Sequence, residues 1–262
     1  MLVFNRRKMV KCNGNDGEYK MVIEKVEWDP KKTACIMCDM WDQHWCKNAT
    51  KRVAEMASRM NELVKFLRQQ GVLIIHAPSD TMDCYAEHPA RKRAQNAPVI
   101  EEIKNLSWAK YDPKVEGPFP IDDSDGGCDC EEKCEMRRAW SKQIDVIEIM
   151  DQDAIADNLD AIYLMKQNGI ENVMIMGVHT NMCILGRPFA IRNLVKFGLN
   201  VVLVRDLTDS MYNPRMWPYT DHYTGTDLVI EHIEKYWCGT VTSDQFIGGK
   251  PFKFKGDTRC RN

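Results

Sequence analysis

Apolar positions in this chain alternate between short continuous runs and longer stretches with helical spacing. The run Thr33-Ala34-Cys35-Ile36-Met37-Cys38 closes on Asp39 and has the pattern of a strand buried on both faces. After Asn48-Ala49-Thr50, which can cap a helix, Val53, Met56, Ala57, Met60, Leu63, Val64 and Leu67 recur at helical spacing. Gly71 ends that helix, and Val72-Leu73-Ile74-Ile75-His76 reads as a second strand. The unit is βαβ, so a parallel pair with a right-handed crossover is expected. Further on, Asp145–Ile149 reads as a strand, about 158–167 as a helix ended by Gly169, and Asn172–Met176 as a strand. A helix reaching about Phe197 follows, with a short first turn and a restart at Pro188. Val201–Val204 is a strand ending in Arg205-Asp206, 227–237 a helix, and Thr240–Thr242 a final strand. This alternation predicts a three-layer α/β/α sandwich around a mainly parallel sheet.

Two regions depart from the rhythm. Residues 1–30 form a polar arm in which Tyr19–Trp28 can make an edge strand, ended by Asp29-Pro30. Residues 78–143 hold Pro78, Pro89, Pro98, Pro113, Pro118, Pro120 and an acidic tract at 122–125. That stretch predicts a long irregular insertion over the C-terminal edge of the sheet, and loops of such length are usually functional. The expected organisation is an arm at 1–30, one domain at 31–250 carrying the insertion at about 78–143, and a tail at 251–262.

Composition narrows the function classes. The 262 residues are 44% apolar, with 36 Lys plus Arg against 38 Asp plus Glu. Near-neutrality argues against nucleic acid as the main partner, and no apolar run approaches the ~18 residues of a membrane span. Basic residues at the N-terminus precede no apolar segment and do not read as a signal peptide, although a precursor cleaved or truncated before Met1 stays open. Eleven cysteines is an odd count in a chain too long to need a disulfide scaffold. A reducing, cytoplasmic setting is the expectation.

Three strand ends carry polar chemistry: Asp39, His76 and the turn before Cys183. The segment Gly177-Val178-His179-Thr180-Asn181-Met182-Cys183-Ile184-Leu185 places a thiol between a strand and a helix N-terminus. Ligands gather at such points in open α/β sheets, and a helix N-terminus favours thiolate. Asp39 can accept the thiol proton or hold the thiolate's partner, and backbone N–H groups from His179 to Cys183 can bind developing negative charge. The plainer alternatives are a buried cysteine at a tight turn and an aspartate that caps the next helix.

The 177–185 segment, preceded by Gly169-Ile170-Glu171-Asn172-Val173, resembles the nucleophile region of the isochorismatase-like cysteine hydrolases, which include nicotinamidases and ureide amidohydrolases. Cys38-Asp39-Met40 resembles their catalytic Asp-Met-Gln segment, and the resemblance covers roughly 33–77 and 144–210. It implies a parallel six-stranded sheet between helices and a Cys–Lys–Asp triad that cleaves an amide-type C–N bond through a thioester. Cys183 would be the nucleophile and Asp39 the general base. A cis peptide would fall at Val178–His179, with oxyanion donors at the amides of His179 and Cys183. The third member departs from the pattern, because no lysine lies between Lys142 and Lys166. Strand register favours Glu148 at that position over Lys142, with a proton shared between Glu148 and Asp39. Pairing of Glu148 with an arginine such as Arg187 is the structural alternative. The family glutamine is replaced by Trp41, which with His44 and Trp45 suggests an aromatic pocket wall. His76 and Thr180 are expected to line the pocket.

No metal is expected at the catalytic site: His76, Asp80, Asp83 and His88 do not reproduce the nicotinamidase ligand spacing. Zinc at Cys128, Cys130 and Cys134, with a fourth ligand such as Cys84, is a lesser possibility beside a disulfide or free thiols. Arg187, Arg192, Arg205 and Arg215 can meet an anionic substrate or serve surface pairs, and the segments about Tyr212 and Trp217 can cover the pocket. The leading expectation is a cofactor-free thiol hydrolase of a small amide or ureide, working as a homo-oligomer. Vinyl-ether hydrolysis of isochorismatase type and a retired scaffold with a binding or regulatory role are the alternatives.

Overall fold

A computed structural model describes residues 1–12 and 17–259, so 13–16 of the arm and the last three residues of the predicted tail lie outside the described residues. Its strands are β1 (Leu2–Lys11), β2 (Tyr19–Trp28), β3 (Thr33–Cys38), β4 (Leu73–Ala77), β5 (Ala154–Ile155), β6 (Asn172–Val178), β7 (Asn200–Asp209) and β8 (Gly239–Val241). Its α-helices are α1 (Lys47–Gln69), α2 (Pro89–Gln95), α3 (Pro113–Glu116), α4 (Leu159–Gln167), α5 (Cys183–Gly186), α6 (Ile191–Lys196), α7 (His222–Tyr236) and α8 (Asp244–Ile247). Among the described residues the strands form one sheet of eight, in the order β2-β1-β8-β7-β6-β3-β4-β5.

The six strands from β8 to β5 are all parallel and make the predicted sheet. The sheet has eight strands rather than six because the arm is an antiparallel hairpin that joins β8. Leu2, Phe4 and Trp28 are buried under it, with Phe4 and Trp28 meeting edge to face at 5.0 Å. That inward-facing set lets a mostly polar hairpin extend the sheet.

Alternation along β3 divides the core. Ala34, Ile36 and Cys38 face a layer built from α4, α5, α6 and α7, whereas Cys35 and Met37 face α1. Every residue of β3 is buried, as expected for a central parallel strand. The helix restart at Pro188 is present, since α5 ends at Gly186 and α6 begins at Ile191. Helix α1 starts earlier than its predicted cap: Thr50 lies inside it and turns its hydroxyl to the carbonyls of His44 and Cys46.

The predicted strand at 145–149 is not one, and β5 at Ala154–Ile155 takes its place beside β4. Within 145–149 Ile147 is buried while Val146 is 44% exposed, so the apolar alternation has no second buried position to anchor a strand. Polar partners fix the segment instead. The Gln143 side chain bridges His76 and the Ile147 carbonyl, and Asp153 accepts from Arg68 and from the Met150 N–H.

The insertion carries α2 and α3 and is docked through Glu116. This buried carboxylate accepts from Arg192 Nε and Nη2 at 2.8 and 3.0 Å, pairs with His232 Nε2 at 2.9 Å, and accepts from Trp237 Nε1 at 2.7 Å. The anchor holds the insertion against α6, α7 and the residue that follows α7.

Candidate active site

Strand β3 delivers Asp39 to the sheet's C-terminal edge in the left-handed backbone region, at φ 51°. A non-glycine residue seldom adopts that conformation, and such residues cluster where the surrounding structure holds a functional side chain in place. The Asp39 N–H donates to the Ala77 carbonyl at 2.9 Å, and its Oδ1 accepts from the Ser79 N–H at 2.9 Å. β4 thereby fixes the carboxylate, which is fully buried.

Strand β6 runs beside β3 and ends at the turn that leads to Cys183. Gly177, at φ 109°, passes so close to β3 that an added Cβ would stand 2.1 Å from the Cys38 carbonyl oxygen. Only glycine allows that approach. The Val178–His179 peptide is cis, where the resemblance puts it. Thr180 is buried: its N–H donates to the Asp209 carbonyl at 2.9 Å, and its hydroxyl meets that of Thr208 at 2.7 Å. Asn181 clamps the far side by donating to Asp123 and exchanging hydrogen bonds with the Met211 backbone. Cys183 opens α5 and is partly exposed. The Asp39 carboxylate lies close enough for its charge to act on the thiol, and the His179 backbone lies beside the sulfur.

The cation at this centre is Arg187, just past the end of α5. Its Nε and Nη2 both lie 3.3 Å from Asp39 Oδ2, and Nη2 lies 3.5 Å from Asp80 Oδ2. The guanidinium sits 5.6 Å from the centre of the Trp108 ring, which rests on Gly186. Burial pushes the Cys183 thiol well above its ordinary range, and the Asp39 charge pushes the same way, while Arg187 and the His179 N–H oppose them. Burial also works against the Arg187 charge, but Asp39 and the neighbouring thiols keep it firmly protonated. Cys38 is a second buried thiol beside Asp39, raised well above its ordinary range by burial and then by that carboxylate.

Sequence reasoning placed Glu148 and Lys142 as rivals for the third position, and neither is there. Glu148 is half exposed on the loop before β5 and pairs with Lys65 of α1 at 2.6 Å. Lys142 pairs with Asp145 at 2.7 Å. Glu148→Gln and Lys142→Ala should therefore leave turnover and melting temperature unchanged, as a kinetic assay and a thermal melt will check. Arg187 was legible only as a partner for Glu148 or for an anionic substrate. The local signal for its place here is a cation four residues after Cys183, held near it by the break at Pro188.

Three pocket-lining expectations also change. His76 is fully buried between Gln143 and Asp153, at 3.0 and 3.2 Å, and braces the sheet edge. Thr180 braces the turn from inside. Trp41 is buried as well: its Nε1 donates to the Ser79 carbonyl at 3.0 Å and its ring stacks on Trp140 at 4.4 Å. With His44 stacked on Trp140, the rings tie the end of the insertion to the loop after β3. His44 is pulled down to about 4 by burial and then by Arg52, so it is neutral at pH 7. His88 caps α2, and among the described residues His76, Asp80, Asp83 and His88 do not form a ligand cluster. A groove of about 280 Å³ runs from Met182 past Trp108, Tyr111 and Phe119, beginning one residue from Cys183.

No family model and no curated protein matches the chain. Solved structures do. A cysteine hydrolase from Pseudomonas syringae pv. phaseolicola 1448A is 16% identical at a TM-score of 0.53, over 85% of this chain and 94% of that one. An isochorismatase from Pseudomonas putida KT2440 is 11% identical at a TM-score of 0.49, over 84% and 92%. N-carbamoylsarcosine amidase from Thermoplasma acidophilum is 14% identical at 0.44, over 81% and 97%. The chain shares the α/β fold of the Pseudomonas syringae cysteine hydrolase.

Proposed function

We propose that the chain is a thiol hydrolase that cleaves the C–N bond of a small amide or ureide through a thioester on Cys183. The observation that carries this reading is one buried carboxylate, Asp39, held 3.3 Å from the Arg187 guanidinium and close enough to Cys183 for its charge to act on the thiol. In the first half-reaction Asp39 takes the thiol proton as sulfur attacks the substrate carbonyl. The Cys183 N–H, which has no acceptor among the described residues, faces the oxyanion that forms. Asp39 returns the proton to the departing nitrogen, and the C–N bond breaks to leave an acyl thioester. In the second half-reaction Asp39 takes a proton from water, hydroxide equivalents add to the thioester, and the acid leaves as the thiol is restored. Arg187 keeps a fixed positive charge beside both anions. An arginine cannot relay protons as a lysine can, so proton transfer falls on Asp39 alone.

Rapid acid quench of the enzyme with a panel of small carboxamides and ureides, followed by peptide mass mapping, tests this reading. The expected result is an acyl adduct on the peptide that contains Cys183. Turnover without an adduct, retained in Cys183→Ser but lost in Asp39→Asn, overturns it in favour of acid-catalysed vinyl-ether chemistry.

A further inference from the structure

A cluster of thiols lies outside the catalytic centre, where the insertion crosses the start of α1. Cys46, at the N-cap of α1, has its sulfur 3.2 Å from that of Cys128 and 3.8 Å from that of Cys130. The three sulfurs lie within 4.8 Å of one another, and all three residues are buried. Cys134 packs against the group from the more exposed side. Cys46 joins the three cysteines that sequence spacing singled out; Cys84, the fourth ligand suggested there, is exposed and outside the cluster.

From this cluster we propose a structural zinc site, with Cys46, Cys128, Cys130 and Cys134 as its four ligands. A tetrahedral zinc with Zn–S bonds of about 2.3 Å sets its sulfurs about 3.8 Å apart, the spacing already present between Cys46 and Cys130. Zinc binds cysteine as thiolate, a form that nearby positive charge favours. Arg215 donates to the Cys130 carbonyl at 2.9 Å and Arg52 pairs with Asp129 at 2.7 Å, placing positive charge around a tetrathiolate.

The site has work to do in the fold. Residues 122–138 contain no helix or strand, and their apolar neighbours at the cluster are few: Ala49, Met211, Trp45 and Met182. A metal crosslink supplies the stability that such a segment lacks. The same segment carries Asp129, whose partner Arg52 also holds Asp209 at 2.7 Å, and the Asp209 carbonyl receives the Thr180 N–H of the nucleophile turn. Zinc would thus fix the insertion against the turn that presents Cys183 and take no part in bond cleavage.

Metal analysis of the full chain, purified under reducing conditions, tests the proposal without reference to catalysis. One zinc per chain is expected, falling to none in Cys128→Ser and Cys130→Ser and staying in Cys84→Ser. Cobalt exchanged into the wild type should show the absorption of a tetrahedral thiolate site. Cys134→Ser, at the outer position, should fold and lose zinc to a competing chelator faster than wild type. Wild-type protein that takes up no zinc from reducing buffer, that holds iron in its place, or that yields a Cys46–Cys128 disulfide after alkylation overturns the proposal.

Discussion

Replacing Asp39 with Asn should cut turnover by about 10⁴-fold and yet make Cys183 react faster with iodoacetamide. The two effects have opposite signs because Asp39 does two things to the thiol. As the proposed base it would remove the proton during attack and later give it to the leaving nitrogen, and Asn can do neither. As a charge it raises the Cys183 thiol, adding to the effect of burial. Removing the charge while leaving Arg187 in place lowers the thiol towards neutrality, so more thiolate is present at any given pH. The alkylation-rate profile should shift to lower pH in Asp39→Asn and to higher pH in Arg187→Ala, where the stabilising cation is lost. Cys183→Ala should lose both turnover and labelling. A wild-type Cys183 that labels like a free model thiol, in a chain without turnover, would support the retired scaffold. If Asp39→Asn labels more slowly than wild type and still turns over, the carboxylate does not face the sulfur in the working protein.

The parts of this centre that were legible in the sequence are those encoded locally. A continuous apolar run fixes β3 and delivers Asp39 at its end, and the glycine at 177 followed by a polar turn marks where β6 stops and Cys183 begins. Contacts made at long range were not legible. Val146-Ile147-Glu148-Ile149 has a strand's composition, but a strand needs a partner with free backbone groups, and β4 spends its open edge on Ala154 and Ile155. With the strand misplaced, Glu148 followed it into the site on paper. The place of Arg187 beside Asp39 was missed for the opposite reason. Its backbone is next to Cys183 in sequence, but its side chain acquires meaning only when β3 brings a carboxylate from 148 residues away. Cys46 is the same case: nothing near it spells a ligand until the insertion folds back over α1.

The second large effect concerns stability. Glu116→Ala should destabilise the protein by about 3–5 kcal/mol, because it leaves the Arg192 guanidinium buried without its partner. Against a total stability of about 5–15 kcal/mol that is a large share, and the melting temperature should drop by roughly 10 °C. The loss has a distinctive pH dependence. Although burial alone would raise Glu116, its hydrogen bonds to His232, Arg192 and Trp237 hold it down at about 2, against an ordinary value of 4.5. A carboxylate whose folded value is depressed contributes stability that is fully present above its unfolded value and is lost as pH falls towards the folded one. The gap between wild type and Glu116→Gln, which keeps the shape without the charge, should therefore be widest near neutrality. It should narrow from about pH 4.5 down towards pH 2. Urea melts at a series of pH values measure it directly. A gap that stays constant across that window would mean that the insertion is held by packing around Phe119 and Trp108, with the buried ion pair contributing nothing.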